Sequence, residues 1–316
     1  MENNGKKRIF YRVCLVTLSI CLFLYIAVVA GMACYQDHFI FPGIKWQGTK
    51  EVADLHCTAT ENDRIIDLTT ASGVKTKARI WTQASQKSDA EQENGQNSEH
   101  KEQKTTNPTI PTVIYIYGNC GCLAWSDRFL REFHEMGVNA ACVEWPGFGV
   151  AEGEISEKGT YEAEDALYDY LTTVEKVPPE SLYIMGHSLG TGPAADLASR
   201  KQCAGLILAS GFTTIPDVSQ FYYPYLPGKL VVVPQFATIK KIPKIKAPIL
   251  FIHSRDDRII PFEMSEKNYE VAQKCGLSAD FLRLETAGHD LFFKRDESPS
   301  VWERITKFLA PGTENR

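Results

Sequence analysis

The chain has 316 residues, 44% of them hydrophobic and 23% charged, with a formal net charge of −5. This is ordinary globular composition, with material for one large core or two small ones, and it lacks the strongly basic balance of a nucleic-acid binder. Nine cysteines are spread along the chain without a CxxC or HExxH pattern, so neither a zinc site nor a dense disulfide framework is expected, and no metal or cofactor is implied.

The N-terminus comes first. From Val13 to Gln36 no residue is charged, and the run "VCLVTLSICLFLYIAVVAGMAC" has no polar face. A helix of that length can cross a hydrocarbon layer of about 30 Å. Lys6, Lys7, Arg8 and Arg12 precede it, and Asp37 and His38 follow. That asymmetry predicts a single-pass anchor, residues 1–36, with its N-terminus in the cytoplasm and the body on the far side. The alternative is a cleaved signal peptide, with Gly31-Met32-Ala33 as a weak cleavage site. The apolar run is long for a signal, so the reading is an uncleaved anchor.

Residues 37–316 read as one domain. In its lead-in segment, Phe39, Ile40, Phe41 and Trp46 are expected to pack on the body. "RIIDLTTASGVKTKARIWTQ" reads as two strands around an Ala-Ser-Gly turn. Residues 84–108 contain no aromatic, Val, Leu or Ile residue and are expected to be a disordered insertion. After Pro111 the runs "TVIYIY", "VNAACVEW", "SLYIM", "AGLILAS", "APILFIH" and "ADFLRLE" read as strands. Helices are predicted over 123–136, 160–176, 189–201 and 300–309. Strands apolar on both faces, alternating with helices, predict an α/β fold with a mostly parallel sheet covered on both sides. The two early strands would form its antiparallel edge.

Within that order, Gly186-His187-Ser188-Leu189-Gly190 falls where a strand ends and a helix begins. A G-x-S-x-G turn there holds a serine in strained geometry with its oxygen clear of the chain, and the following helix aims its N-terminus at developing negative charge. Ser188 is therefore the candidate nucleophile. It needs a base, and the base needs an orienting acid. His289, in a loop after a strand and beside Gly288, is the expected base; His253, at the end of a strand, is the competitor. Asp257 is the expected acid and Asp256 its competitor, the other aspartate being read as a solvated charge or a partner of Arg255 or Arg258.

With these residues in place, the sequence resembles the α/β-hydrolase superfamily. It is most similar to the branch of serine aminopeptidase-like hydrolases and membrane-associated lysophospholipases, monoacylglycerol lipases and depalmitoylases. The resemblance covers roughly residues 64–311, through "YIYGNCG", "EWPGFGVAEG", "GHSLGTG", "IKAPILFIHSRDDRIIP" and "TAGHDLF". It implies an oxyanion hole made by the backbone N–H groups of Asn119 and Leu189. Relatives carry His-Gly-Asn where this chain has Tyr117-Gly118-Asn119, so the support of that loop differs here. Cys120 and Cys122 lie beside it and read as packing thiols, with pairing to a cysteine such as Cys142 as the alternative. The glycines of "WPGFGVAEG" read as turn residues.

The resemblance further implies a serine hydrolase cleaving acyl esters or thioesters of lipids or small molecules through an acyl-enzyme. A peptidase on short peptides, an acyltransferase and a non-catalytic scaffold are the alternatives. Residues 211–246 form a short, aromatic, proline-broken insertion in the place of a lipase lid. It reads either as an acyl-pocket wall or as a hydrophobic edge packed on the sheet. Lys240, Lys241, Lys244 and Lys246 read as a solvated basic cluster.

Overall fold

The computed structural model describes residues 2–49, 62–83, 110–292 and 297–310. The predicted polar insertion, 84–108, lies outside the described residues. Eight strands form one sheet in the order β1-β2-β4-β3-β5-β6-β7-β8. β1 (Asp63–Thr69) and β2 (Lys75–Trp81) pair antiparallel, β2 joins β4 (Asn139–Val143) antiparallel, and all other pairs are parallel. The expected antiparallel edge is therefore present. Every residue of β3 (Thr112–Ile116), β5 (Leu182–His187), β6 (Gly205–Ala209) and β7 (Ile249–Ser254) is buried. Continuous apolar runs such as "TVIYI" and "GLILA" have that cause: helices cover both faces of a parallel sheet.

From β3 the chain steps one way to β4, then back past β3 to β5 and on to β8 (Ala279–Leu284). Right-handed crossovers running in opposite directions place helices on opposite faces. The strand order reverses between β3 and β5, and the crevice at their C-terminal ends is where such sheets bind ligands. The loop 117–123 and Ser188 both leave the sheet there.

A long helix of the body escaped the sequence reading. Phe262–Lys274 is helical and buries Phe262, Ser265, Asn268 and Ala272 at helical spacing. Two of those four are polar, which hid the apolar stripe. Both are satisfied by the loop after β6: Ser265 Oγ donates to the Gly211 carbonyl at 3.1 Å and Asn268 Nδ2 to the Phe212 carbonyl at 2.9 Å.

The N-terminal helix Glu2–Cys34 is long and apolar enough to cross a membrane, and the protein buries none of its apolar window. A short helix, Gln36–Ile40, and a 3-10 turn, Pro42–Trp46, lead into the body. Phe41 is fully buried, edge-on to Phe148 and Phe236, and Trp46 meets Trp125 at 4.8 Å between ring centroids. Phe39 departs from expectation: it stays 65% exposed, because the helical turn points it toward the cavity described below rather than into the core. Between β6 and β7 the chain forms three short helices, Ile215–Tyr222, Gly228–Val231 and Thr238–Lys241, within the segment read as cap-like.

Candidate active site

Ser188 sits on the turn after β5 with φ of 53°, a left-handed conformation that costs a non-glycine residue about 1–2 kcal/mol. The neighbouring glycines make the turn feasible. A Cβ at Gly190 would strike the carbonyl oxygens of Ile116 and Tyr117, and one at Gly186 would strike the Gly190 carbonyl and Ala194. The turn therefore presses directly on the end of β3. Thr191 Oγ1 donates to the Ser188 carbonyl at 2.7 Å and ties the turn to the helix Thr191–Arg200.

Ser188, His289 and Asp257 come together. Ser188 Oγ lies 2.9 Å from His289 Nε2, and His289 Nδ1 lies 2.7 Å from Asp257 Oδ2. The Asp257 side chain is fully buried and that of His289 nearly so. Asp257 Oδ1 accepts the N–H groups of Ile259 and Ile260 at 2.8 and 2.9 Å. Burial pushes this carboxyl up, but the hydrogen bonds from His253 and His289 outweigh it and hold Asp257 well below the usual carboxylate range. The acid is thus a charged acceptor aimed at Nδ1, which leaves Nε2 free to accept the serine proton.

The two competing residues have other places. His253 is fully buried on the far side of Asp257. Its Nε2 faces two acceptors, Asp257 Oδ2 at 3.0 Å and the Ile260 carbonyl at 3.1 Å, so that nitrogen carries a proton. Asp256 serves the loops around the site. Its Oδ1 accepts from Ser254 Oγ and from the Gly288 N–H, both at 2.6 Å, and so fastens the loop that carries His289. That loop is also held by Ser210 Oγ and His187 Nε2, which donate to the His289 carbonyl at 3.0 and 3.3 Å. Burial, with the charge of His289, lowers His187 to about 4, so it is a neutral donor at ordinary pH.

Asn119 and Leu189 flank Ser188 around a shared cavity. Neither of their N–H groups takes part in the backbone–backbone hydrogen bonds of turns and loops among the described residues. The Asn119 carbonyl accepts from Gly43 N–H at 3.0 Å. Tyr117 does not point at the cavity: its hydroxyl donates to Glu144 Oε1 at 2.7 Å and accepts the Trp145 N–H at 2.9 Å. Glu144 also accepts the Leu123 N–H at 3.0 Å, so one carboxyl grips both ends of the loop 117–123. Burial pushes Glu144 up to about 7. Sequence reasoning missed it, although a charged residue closing the apolar run "AACVEW" was a signal. Behind it, Glu164 accepts from Trp145 Nε1 at 2.9 Å, and burial pushes it up to about 8. Cys120, Cys122 and Cys142 are free thiols, the first exposed and the others buried.

The cavity holds about 350 Å³. Ser188, Leu189 and Asn119 close its inner end, and Phe212, Val218 and Tyr222 line the side toward the cap. Its walls are overwhelmingly apolar, which suits a hydrocarbon chain. Among the described residues no group of His, Cys, Asp or Glu side chains forms a metal-ligand set. Of the predicted basic cluster, Lys241 pairs with Asp196, whereas Lys244 and Lys246 line a second cavity of about 550 Å³ with Arg200 and Lys201, at the opposite end of the strands.

The fold agrees with that of known proteins. The family model described as the alpha/beta hydrolase fold matches residues 111–230. Lysophosphatidylserine lipase ABHD12 of Danio rerio is 29% identical over 216 residues, covering 60% of this chain and 56% of that protein. Alpha/beta hydrolase domain-containing protein 17C of Homo sapiens is 34% identical over 157 residues, covering 48% and 44%. The chain thus spans about half the length of the curated relatives it matches. Among solved structures, an alpha-beta hydrolase from Vibrio vulnificus aligns with a TM-score of 0.65 at 16% identity, over 86% of this chain and 90% of that one. An esterase from Pyrococcus furiosus aligns with a TM-score of 0.58 at 17% identity, over 83% and 94%. The chain has the α/β-hydrolase fold, and by its family-model match and its relatives it is similar to proteins of the α/β-hydrolase superfamily.

Proposed function

We propose that this chain is a membrane-anchored serine hydrolase that cleaves acyl esters or thioesters, with lipids as the first substrate class. The observation that carries the reading is the Ser188–His289–Asp257 relay, at 2.9 and 2.7 Å, opening on an apolar cavity. His289 Nε2 takes the Ser188 proton as Oγ attacks the acyl carbonyl. Asp257 holds the resulting imidazolium through Nδ1–H. The backbone N–H groups of Asn119 and Leu189 receive the oxyanion, each worth about 3 kcal/mol to the transition state. His289 then passes its proton to the leaving alcohol or thiol, leaving an acyl-serine. Water, deprotonated by the same imidazole, releases the fatty acid and restores Ser188.

The lipid preference is supported by the apolar helix Glu2–Cys34, by the apolar cavity walls, and by likeness to a protein named as a lysophosphatidylserine lipase. The test is labelling of the full-length protein with a fluorophosphonate probe, followed by turnover of acyl esters and thioesters. Ser188→Ala should abolish labelling and lower turnover by at least about 10⁴-fold. Undiminished turnover in a folded variant would remove Ser188 from this role.

A further inference from the structure

Five residues of the N-terminal segment line the cavity that ends at Ser188: Met32, Ala33, Gln36, Phe39 and Ile40. Their spacing, i, i+1, i+4, i+7 and i+8, is that of one helix face. The cap forms the opposing wall. Two hydrogen bonds lock helix to cap. The Tyr25 hydroxyl donates to the Tyr225 carbonyl at 2.9 Å, and the Val233 N–H donates to Gln36 Oε1 at 2.8 Å.

The position of Tyr25 has a physical consequence. It stands midway between Arg12 and Asp37, about 20 Å and about 18 Å away along a helix axis. Half a bilayer's hydrocarbon is about 15 Å thick. A spanning helix that keeps both charges in the polar layers carries Tyr25, and with it the Tyr225 carbonyl, into the hydrocarbon. A carbonyl there needs a partner from the protein, and Tyr25 supplies it. The surrounding surface has the matching chemistry: Leu230 is 87% exposed, Val233 74%, Tyr225 69% and Phe221 59%. The neighbouring charge, Lys229, is paired with Asp217 at 3.4 Å. Exposed to water, this apolar patch beside an apolar helix would have no compensation.

We infer that the cap, over residues 218–233, is embedded beside the anchor in one leaflet, and that a lipid's acyl chain passes from that leaflet to Ser188 between cap and anchor. The anchor is then a wall of the substrate site as well as a tether. Passage of substrate rests on the serine-hydrolase reading; the embedding does not.

Two measurements on full-length protein in phosphatidylcholine vesicles separate them. An environment-sensitive fluorescent amino acid placed at position 230 should be quenched by bromines on the lipid acyl chains, several-fold more than one at position 270 on the exposed side of the helix Phe262–Lys274. Quenching at 230 by aqueous iodide alone would overturn the embedding. Leu230→Glu and Leu230→Arg, away from the cavity lining, should each lower turnover of a long-chain ester held in the vesicles by about tenfold or more, with turnover of a water-soluble short-chain ester unchanged. An equal fall on both esters, or no fall on either, would overturn the portal. Wild-type protein that neither labels at Ser188 nor turns over the soluble ester would sink the hydrolase reading and the portal with it, while the quenching result still decides the embedding.

Discussion

Leu206, Ile207 and Leu208 in β6 are at most 1% exposed, whereas Leu230 and Val233 in the cap present most of their surface to the outside. The two regions use the same residue types. In the sheet they face helices, and polar groups close by are satisfied by the protein: Asp257 alone meets two histidines and two backbone N–H groups. In the cap Leu230 and Val233 stay mostly uncovered by the described residues, and the neighbouring helix is apolar as well. The difference teaches that one half of the molecule satisfies its groups internally, while the other, on the inference above, is matched to a second solvent. The proposed site at Ser188 lies where the two halves meet.

Perturbing the internally satisfied half should have the larger effects. Asp257→Asn should lower turnover by about 10⁴-fold, because the amide no longer holds His289 in the tautomer that accepts the serine proton. Asp256→Asn keeps an oxygen for Ser254 and the Gly288 N–H, and should cost at most about tenfold. Turnover of a soluble ester by the two purified variants checks the ranking, and the reverse order would move the acid by one residue.

Gly190→Ala would drive a methyl into the carbonyls at the end of β3. It should destabilise the protein by about 1–3 kcal/mol, seen as a lower urea midpoint in detergent. Leu230→Glu, on the other half, should leave that midpoint within about 0.5 kcal/mol of wild type.

A further effect concerns pH. Burial raises Glu164 to about 8 and Glu144 to about 7 from an ordinary 4.5. Between the ordinary and raised values the folded state keeps protons that the unfolded state has lost. Stability therefore falls as pH rises from 4.5 through 7 and 8, and levels off above. Glu164→Gln keeps an acceptor for Trp145 and removes the titration. Its loss of stability between about pH 6 and pH 9 should be about 3 kcal/mol smaller than that of wild type. An identical slope in both proteins would mean that Glu164 is not held protonated.

Much of the sheet half was legible because its signals are local. A strand buried on both faces reads as an unbroken apolar run, and the turn at Ser188 needs its two glycines at fixed offsets. His289 and Asp257 were read from their own loops, each directly after a strand run, the first beside Gly288. What stayed hidden is non-local. The helix Phe262–Lys274 escaped because Ser265 and Asn268 occupy its inner face and find partners on the loop after β6. Asp256 looked like a solvated charge because the N–H it binds, on Gly288, lies on another loop. Tyr117 looked like a departure, yet its hydroxyl reaches Glu144 and anchors the loop it belongs to. Phe39 read as a core residue because its turn toward the cavity depends on the direction in which the helix leaves the body.

Tyr25 and Gln36 reach the cap from one side of the N-terminal segment, about three helical turns apart. This gives the N-terminal helix a phase. Each residue added between them would rotate one contact against the other by about 100°, whereas residues added before Arg12 change nothing that touches the body. Length is free at one end of this helix and fixed at the other, so the stretch from Tyr25 to Ile40 behaves as a gear tooth cut to mesh with a single partner.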